Sequence, residues 1–169
     1  MSKQTSTGTV GDSPQVSPDE LAMRSFDRSL PMALLAARES AMKLFRPMLA
    51  EHDLTEQQWR VLRALHASDE PIEVGPLGEL ASLLAPSVSR ILANLETRDL
   101  IVRTVAAHDQ RRAAISLSSA GTTLVDSIAP ESESTYIEIE RRFGQARLQR
   151  LLHELRDLTA SLNNPQANS

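Results

Sequence analysis

The chain contains no cysteine. That excludes disulfides, thiolate metal centres, cysteine nucleophiles and thiol-based redox sensing, and it is compatible with a reducing cytosol. Aromatic residues make up only 3%, with one tryptophan and one tyrosine, so a core must be built mostly from Leu, Ala, Ile, Val and Met. No apolar run approaches the ~18 residues of a membrane-spanning helix. The N-terminus has no apolar signal-peptide segment, so secretion is not indicated. There is no glycine-rich phosphate loop and no His-x-x-x-His pair, and the four histidines (His52, His66, His108 and His153) are scattered. Catalysis, a bound metal and a cofactor are therefore not expected. Nor is the chain coated in positive charge, since its formal net charge is −4.

What is present is length and pattern. At 169 residues the chain can bury a real core as one domain or two closely fused lobes. Residues 1–24 are rich in Ser, Thr, Gln, Gly and Pro and are expected to be disordered. Residues 163–169 are expected to fray, which leaves one domain over 25–162. Charge is unevenly spread. Between Ala85 and Arg112 there are five arginines against Glu96, Asp99 and Asp109, so a basic segment sits in an acidic chain. That suits a protein offering nucleic acid one face only.

The segment from Glu79 to Leu117 organises the rest. One helix closes at Leu80-Ala81, and a second runs from Pro86 to Glu96. Val88, Ile91, Leu92 and Leu95 share one face of it. Ser87, Ser89, Arg90, Ala93, Asn94 and Thr97 share the other, which is polar and short, as a surface lying in a groove requires. Ala85 is a poor N-cap, Pro86 suits the first helical position, and a phosphate can satisfy the amides there. Leu100–Val105 and Ala113–Leu117 read as strands, and between them lies Ala106-Ala107-His108-Asp109-Gln110-Arg111-Arg112.

A helix pair followed by an arginine-tipped ribbon is a winged helix-turn-helix. Its second helix enters the major groove and its wing reaches the backbone or minor groove of duplex DNA. The candidate DNA contacts are Pro86, Ser87, Ser89, Arg90, Asn94, Arg103, His108, Asp109, Arg111 and Arg112, with Asp109 able to hold the wing arginines in place. The other reading of Arg111 and Arg112, as solvated hairpin charges, stands for the dipeptide alone.

Around this lobe the sequence is helical. Leu30–Ala50 repeats apolar residues at three- and four-residue steps. Thr55-Glu56-Gln57-Gln58 is a capping-box pattern opening a helix to about Ala67. Ile72-Glu73-Val74 can add a third strand. Ser118 or Ser119 caps a long helix in which Pro130 should cause a kink or an end. Gly144 stops that helix, and an amphipathic helix follows to about Asn163. The fold class is mainly α with a small antiparallel β wing. A DNA-binding lobe spans about 55–117, and a helical dimerisation lobe is built from both chain ends, about 29–51 and 119–162. These outer helices are more apolar than one small lobe can bury, so a two-fold dimer on a pseudo-palindromic site is expected. A monomeric helical bundle is the alternative.

Glu56, Trp59, Arg63 and His66 lie along one stripe of the capped helix. A guanidinium on an otherwise apolar stripe needs a counter-charge. An aromatic carboxylate would supply it, pairing with Arg63, stacking on Trp59 and leaving a phenol to Glu56 or Tyr136. A structural ion pair of Arg63 with Glu39 or Glu56, over a Trp59 that is only core, is the competing reading. His66 reads as a surface histidine.

The helix pair, the Asp109-Gln110-Arg111-Arg112 wing and the outer helices resemble the MarR family of bacterial winged-helix repressors over about Ser29–Leu162. Three stretches carry a finer likeness: Ala37–Pro47, Leu54–Arg60 and Pro86–Leu92. They resemble the branch repressing homoprotocatechuate (hydroxyphenylacetate) degradation operons. The resemblance implies a cytoplasmic homodimer, nucleoid-associated when DNA-bound, that represses until a small phenolic acid binds. It implies ligand contacts from Glu56, Trp59, Arg63 and Tyr136, with Ser29 of the partner subunit. Pro31 departs from the polar residue some relatives carry there. A family member serving another stress or efflux operon, with a different effector or none, is the alternative function. A helical interaction scaffold without DNA is a more distant one.

Overall fold

The computed structural model describes residues 25–106 and 109–164, and of residues 105, 106 and 109–112 the backbone alone. The tail expected at 1–24, the last residues from 165 and His108 lie outside the described residues. The chain divides into two compact units, residues 1–38 and 39–169. In the first, a 3-10 turn at Phe26–Arg28 leads through Ser29 into helix α1 (Leu30–Glu51), which ends in the second unit. Phe26, Leu30, Leu34 and Leu35 are all exposed.

The second unit continues with α2 (Glu56–His66), β1 (Ile72–Glu73), α3 (Val74–Leu80), α4 (Ala85–Thr97), β2 (Ile101–Ala106), β3 (Asp109–Leu117), α5 (Ser119–Phe143) and α6 (Gln145–Asn163). The expected capping box opens α2. The Gln58 amide donates to Thr55 Oγ1 at 3.2 Å, and the Thr55 amide donates to Gln58 Oε1 at 2.8 Å. Ser118 caps α5, its hydroxyl accepting from the Gly121 amide at 2.9 Å. Pro130 does not end α5. Val125, Ile128 and Ser132 are buried on either side of it, and this packing holds the helix through the lost hydrogen bond.

Helices α1, α3 and α4 end in one way. The amides of Leu54, Leu83 and Leu100 bond back to the carbonyls of Leu49, Gly78 and Leu95, closing a six-residue loop each time. The residue before each leucine, Asp53, Ser82 or Asp99, has φ near +50°. This is the left-handed helix stop usually made by glycine, and the leucine after it turns into the core. Aspartate tolerates that conformation better than serine does. Ser82→Gly is therefore expected to stabilise the protein by about 0.5–1 kcal/mol, read as a raised unfolding midpoint.

The sheet is antiparallel in the order β1-β3-β2. Ile115, at its centre, pairs with Ile72 on one side and Arg103 on the other and is fully buried. The third strand is present as expected. The wing differs in extent: β3 begins at Asp109, four residues before the expected Ala113, with Ala106 opposite Asp109 and a register irregularity beside Val105. Polar residues are no bar to continuing a two-stranded ribbon, because both faces can meet water and the ladder satisfies the backbone.

One apolar cluster joins Val88, Ile91, Leu92 and Leu95 of α4 to Leu62 and Leu65 of α2, Leu77 of α3, Ile101 and Ile115 of the sheet, and Val125 and Ile128 of α5. Phe45, Met48 and Leu49 of α1 belong to it too. By contrast α6 buries no residue, and Tyr136, Ile137, Leu151, Leu152 and Leu162 are exposed. Among the described residues no helix is long and apolar enough to cross a membrane.

Candidate nucleic-acid interface and effector site

Helix α4 presents the expected outer face. Pro86, Ser89, Arg90, Ala93, Asn94 and Thr97 are exposed and Ser87 is half-buried, opposite the four core residues. Its N-cap, Leu84, makes no side-chain capping bond. Ser87 N–H donates to the Leu84 carbonyl at 2.9 Å, and Pro86 has no N–H, so the first turn offers a phosphate fewer amides than an ordinary helix start. Thr97 Oγ1 donates to the Ala93 carbonyl at 2.8 Å. Arg103, on β2, lies 3.6 Å from Glu96 of α4, so it braces the strand to the helix as well as facing outward. Asp109, Arg111 and Arg112 belong to β3 by backbone, and their side chains lie outside the description, as His108 does entirely.

Three braces, with no periodic signal in the sequence, fasten α4 to the elements before it. Gln58 of α2, nine-tenths buried, donates from Nε2 to Asn94 Oδ1 at 2.6 Å. Arg60 of α2 donates to the Ser82 carbonyl at 3.3 Å, at the turn into α4. Arg98, just past α4, donates to the carbonyls of Asp53 and His52 at 2.8 and 3.2 Å. These bonds tie α4 and the turns that flank it to α2 and the turn before it.

Of the other candidate residues, Trp59 and Arg63 come together on α2. Trp59 is 7% exposed and joins the core. Arg63 lies one turn on, exposed, its guanidinium 5.8 Å from the Trp59 ring centroid, within cation–π range. The expected carboxylate partners are taken elsewhere. Arg46 of α1 donates to Glu56 at 2.7 Å and to Glu39 at 2.5 Å. The hydrogen bond to Glu39, then that to Glu56, holds the Arg46 guanidinium above its ordinary pKa. Among the described residues no carboxylate lies within ion-pair distance of Arg63. Arg46 was missed in the sequence, although it stands seven residues, two helical turns, after Glu39.

Tyr136 of α5 is 42% exposed, its ring edge-on to Phe45 at 5.0 Å between centroids. One turn earlier Ser132 is buried with a hydroxyl that has no partner among the described residues, a costly state that a bound polar group would relieve. Ser29 closes the 3-10 turn before α1. His66 pairs with Asp126 of α5 at 2.9 Å and so belongs to a structural contact. A cleft of about 370 Å³ is lined by Leu65, His66, Pro71, Ser116, Leu117 and Thr122 among others, and it includes none of the five candidate ligand residues. Among the described residues no group of three or more His, Cys, Asp or Glu could hold a metal ion.

A helix pair, α3 and α4, packed with a three-stranded sheet, with a polar outer face on its second helix, defines a winged helix-turn-helix regulator. Comparison with known proteins gives the family. Residues 52–112 match the model of the MarR family. The homoprotocatechuate degradative operon repressor of Escherichia coli is 39% identical over 82% of this chain and 93% of its own length. The chain belongs to the MarR family of transcriptional regulators; its relatives are regulators, not enzymes, and the family binds DNA as dimers. A solved transcriptional regulator superposes with a TM-score of 0.74 at 41% identity, covering 78% of this chain and 96% of its own. The structure of NadR in complex with 4-hydroxyphenylacetate superposes with a TM-score of 0.70 at 33% identity, covering 82% and 97%.

Proposed function

We propose that this protein is a dimeric repressor of an aromatic-acid catabolic operon, of the homoprotocatechuate or hydroxyphenylacetate type, released from a pseudo-palindromic operator by a phenolic acid. It acts in the cytoplasm on nucleoid DNA. Residues 55–117 form the DNA-binding lobe, and the helices at 29–51 and 119–162 form the dimer. The exposed apolar residues of α1, α5 and α6 support that division. Ser87, Ser89, Arg90 and Asn94 meet bases and phosphates. Pro86 sets the helix start, and Arg103, His108, Asp109, Arg111 and Arg112 form the wing contact.

The observation carrying the effector reading is the environment of Arg63. It lies over the only tryptophan at 5.8 Å from the ring centroid, while Glu39 and Glu56 are both engaged by Arg46. A cation without a carboxylate, beside an aromatic wall, suits an arylacetate: carboxylate on Arg63, ring near Trp59, phenol toward Tyr136 or Glu56, with Ser29 of the partner subunit closing the site. The likeness to a 4-hydroxyphenylacetate complex supports the same class of ligand.

By linkage, an effector that prefers a dimer with its reading helices wrongly spaced weakens DNA binding by the factor by which DNA weakens effector binding. Trp59 reports on the site directly. Titration with 4-hydroxyphenylacetate is expected to change its fluorescence saturably, while phenylethylamine, which lacks the carboxylate, leaves it unchanged. A response to both, or to neither, would remove Arg63 and Trp59 from the effector site.

A further inference from the structure

The capping box at the start of α2 also determines what the reading helix shows to DNA. The Thr55 amide can only donate, so the Gln58 atom 2.8 Å from it is the oxygen Oε1. The remaining polar atom of Gln58 is then the nitrogen Nε2, which has hydrogens to give and no lone pair to accept with. It stands 2.6 Å from the Asn94 side chain, so the Asn94 atom facing it is the oxygen Oδ1. The Asn94 nitrogen Nδ2 is therefore the end turned away from Gln58. Asn94 lies on the exposed face of α4, one turn beyond Arg90.

We infer that Gln58 is a positioning residue that fixes Asn94 as a hydrogen-bond donor toward DNA. The inference rests on the reading of α4 as the DNA-reading helix. An unrestrained asparagine can pair both ways with adenine, accepting from N6 and donating to N7. With Oδ1 committed to a buried glutamine, Asn94 gives N–H groups to acceptors instead. Those are guanine O6 or N7, adenine N7, thymine O4, or a phosphate oxygen; cytosine alone offers a donor and no acceptor, and adenine keeps only its N7 contact. A backbone amide in the turn before α2 thus sets, through two side chains, the hydrogen-bond polarity of a position in the groove.

Two substitutions invert that polarity by independent routes. The Gln58→Glu carboxylate still accepts from the Thr55 amide, but its second oxygen has no hydrogen to give, so it draws Nδ2 of Asn94 and turns Oδ1 outward. Asn94→Asp, at an exposed position, keeps Gln58 and places an acceptor oxygen outward. The experiment selects preferred duplexes from a randomised pool with the unaltered protein and each variant, then compares affinities by anisotropy, with thermal unfolding to verify the fold.

Both variants are expected to switch base preference at the same single position of each half-site. Guanine or thymine, which offer acceptors alone, give way to cytosine, which offers a donor alone, while adenine can meet either polarity through N7 or N6; the relative affinities of guanine and cytosine change about tenfold. If the acceptor is a phosphate, base preference stays fixed. A methylphosphonate at one backbone position then weakens the unaltered protein about tenfold and makes no difference to Asn94→Ala. Unchanged base preference together with no phosphate position coupled to Asn94 would overturn the inference. Failure of the unaltered protein to bind any duplex at low salt would instead overturn the reading of α4 on which it rests.

Discussion

Arg63→Ala is expected to bind operator DNA as tightly as the unaltered protein and to ignore the phenolic acid. The guanidinium is exposed, lies within cation–π range of Trp59 and makes no ion pair with the described carboxylates, so its removal strands no buried charge. The braces to α4 come from Gln58, Arg60 and Arg98 and do not involve it. What is lost is a charge-assisted contact to the ligand carboxylate, worth about 1.5–3 kcal/mol. That is roughly 10- to 150-fold in effector affinity. Fluorescence titration of Trp59 and an operator-release assay on the same variant measure the two halves of this expectation. Ordinary release by the effector would place the site away from α2.

Gly121→Ala is expected to destabilise the fold severely. Gly121 sits in the first turn of α5, and a Cβ there would stand 2.0 Å from the Leu100 carbonyl oxygen and 2.9 Å from its carbon. Backbone cannot yield as a flexible side chain can. The Leu100 oxygen is also held, accepting from the Ser118 amide at 3.1 Å. The helix must move away from the strand that follows α4, leaving Val125 and Ile128 poorly packed. Overpacking of this kind costs about 3 kcal/mol or more, roughly 6–12 °C in unfolding temperature for a chain of this size. Gly75→Ala is the matched control. A Cβ there meets nothing within 4 Å, and an unchanged or slightly raised midpoint is expected. Equal midpoints for the two variants would show that α5 does not depend on this close approach.

Much of this was legible in the sequence because local chemistry and periodicity agreed. The apolar stripe of Val88, Ile91, Leu92 and Leu95 is the buried face of α4, and Thr55 with Gln58 forms the capping box. Ser118 caps α5 and Gly144 closes it. What escaped depends on tertiary neighbours. Pro130 carries a strong local signal to stop, but packing on both sides outweighs it. Gln58 is legible as a cap, while its second bond spans thirty-six residues to Asn94. Arg98 looks like any arginine at a helix end, yet it holds two carbonyls of the turn before α2. Neither glutamate that could pair with Arg63 does so, because Arg46 holds both, a choice of partner that tertiary packing decides.

In the proposed function one helix, α2, carries effector residues on one face and holds the reading helix by another. Fluorescence anisotropy of the DNA upstream of the neighbouring operon, titrated with this protein with and without saturating 4-hydroxyphenylacetate, tests it most directly. Salt-dependent binding that the effector weakens 5- to 150-fold is expected, the range set by a coupling of about 1–3 kcal/mol. Tight binding that no hydroxyphenylacetate alters would contradict the coupling through α2.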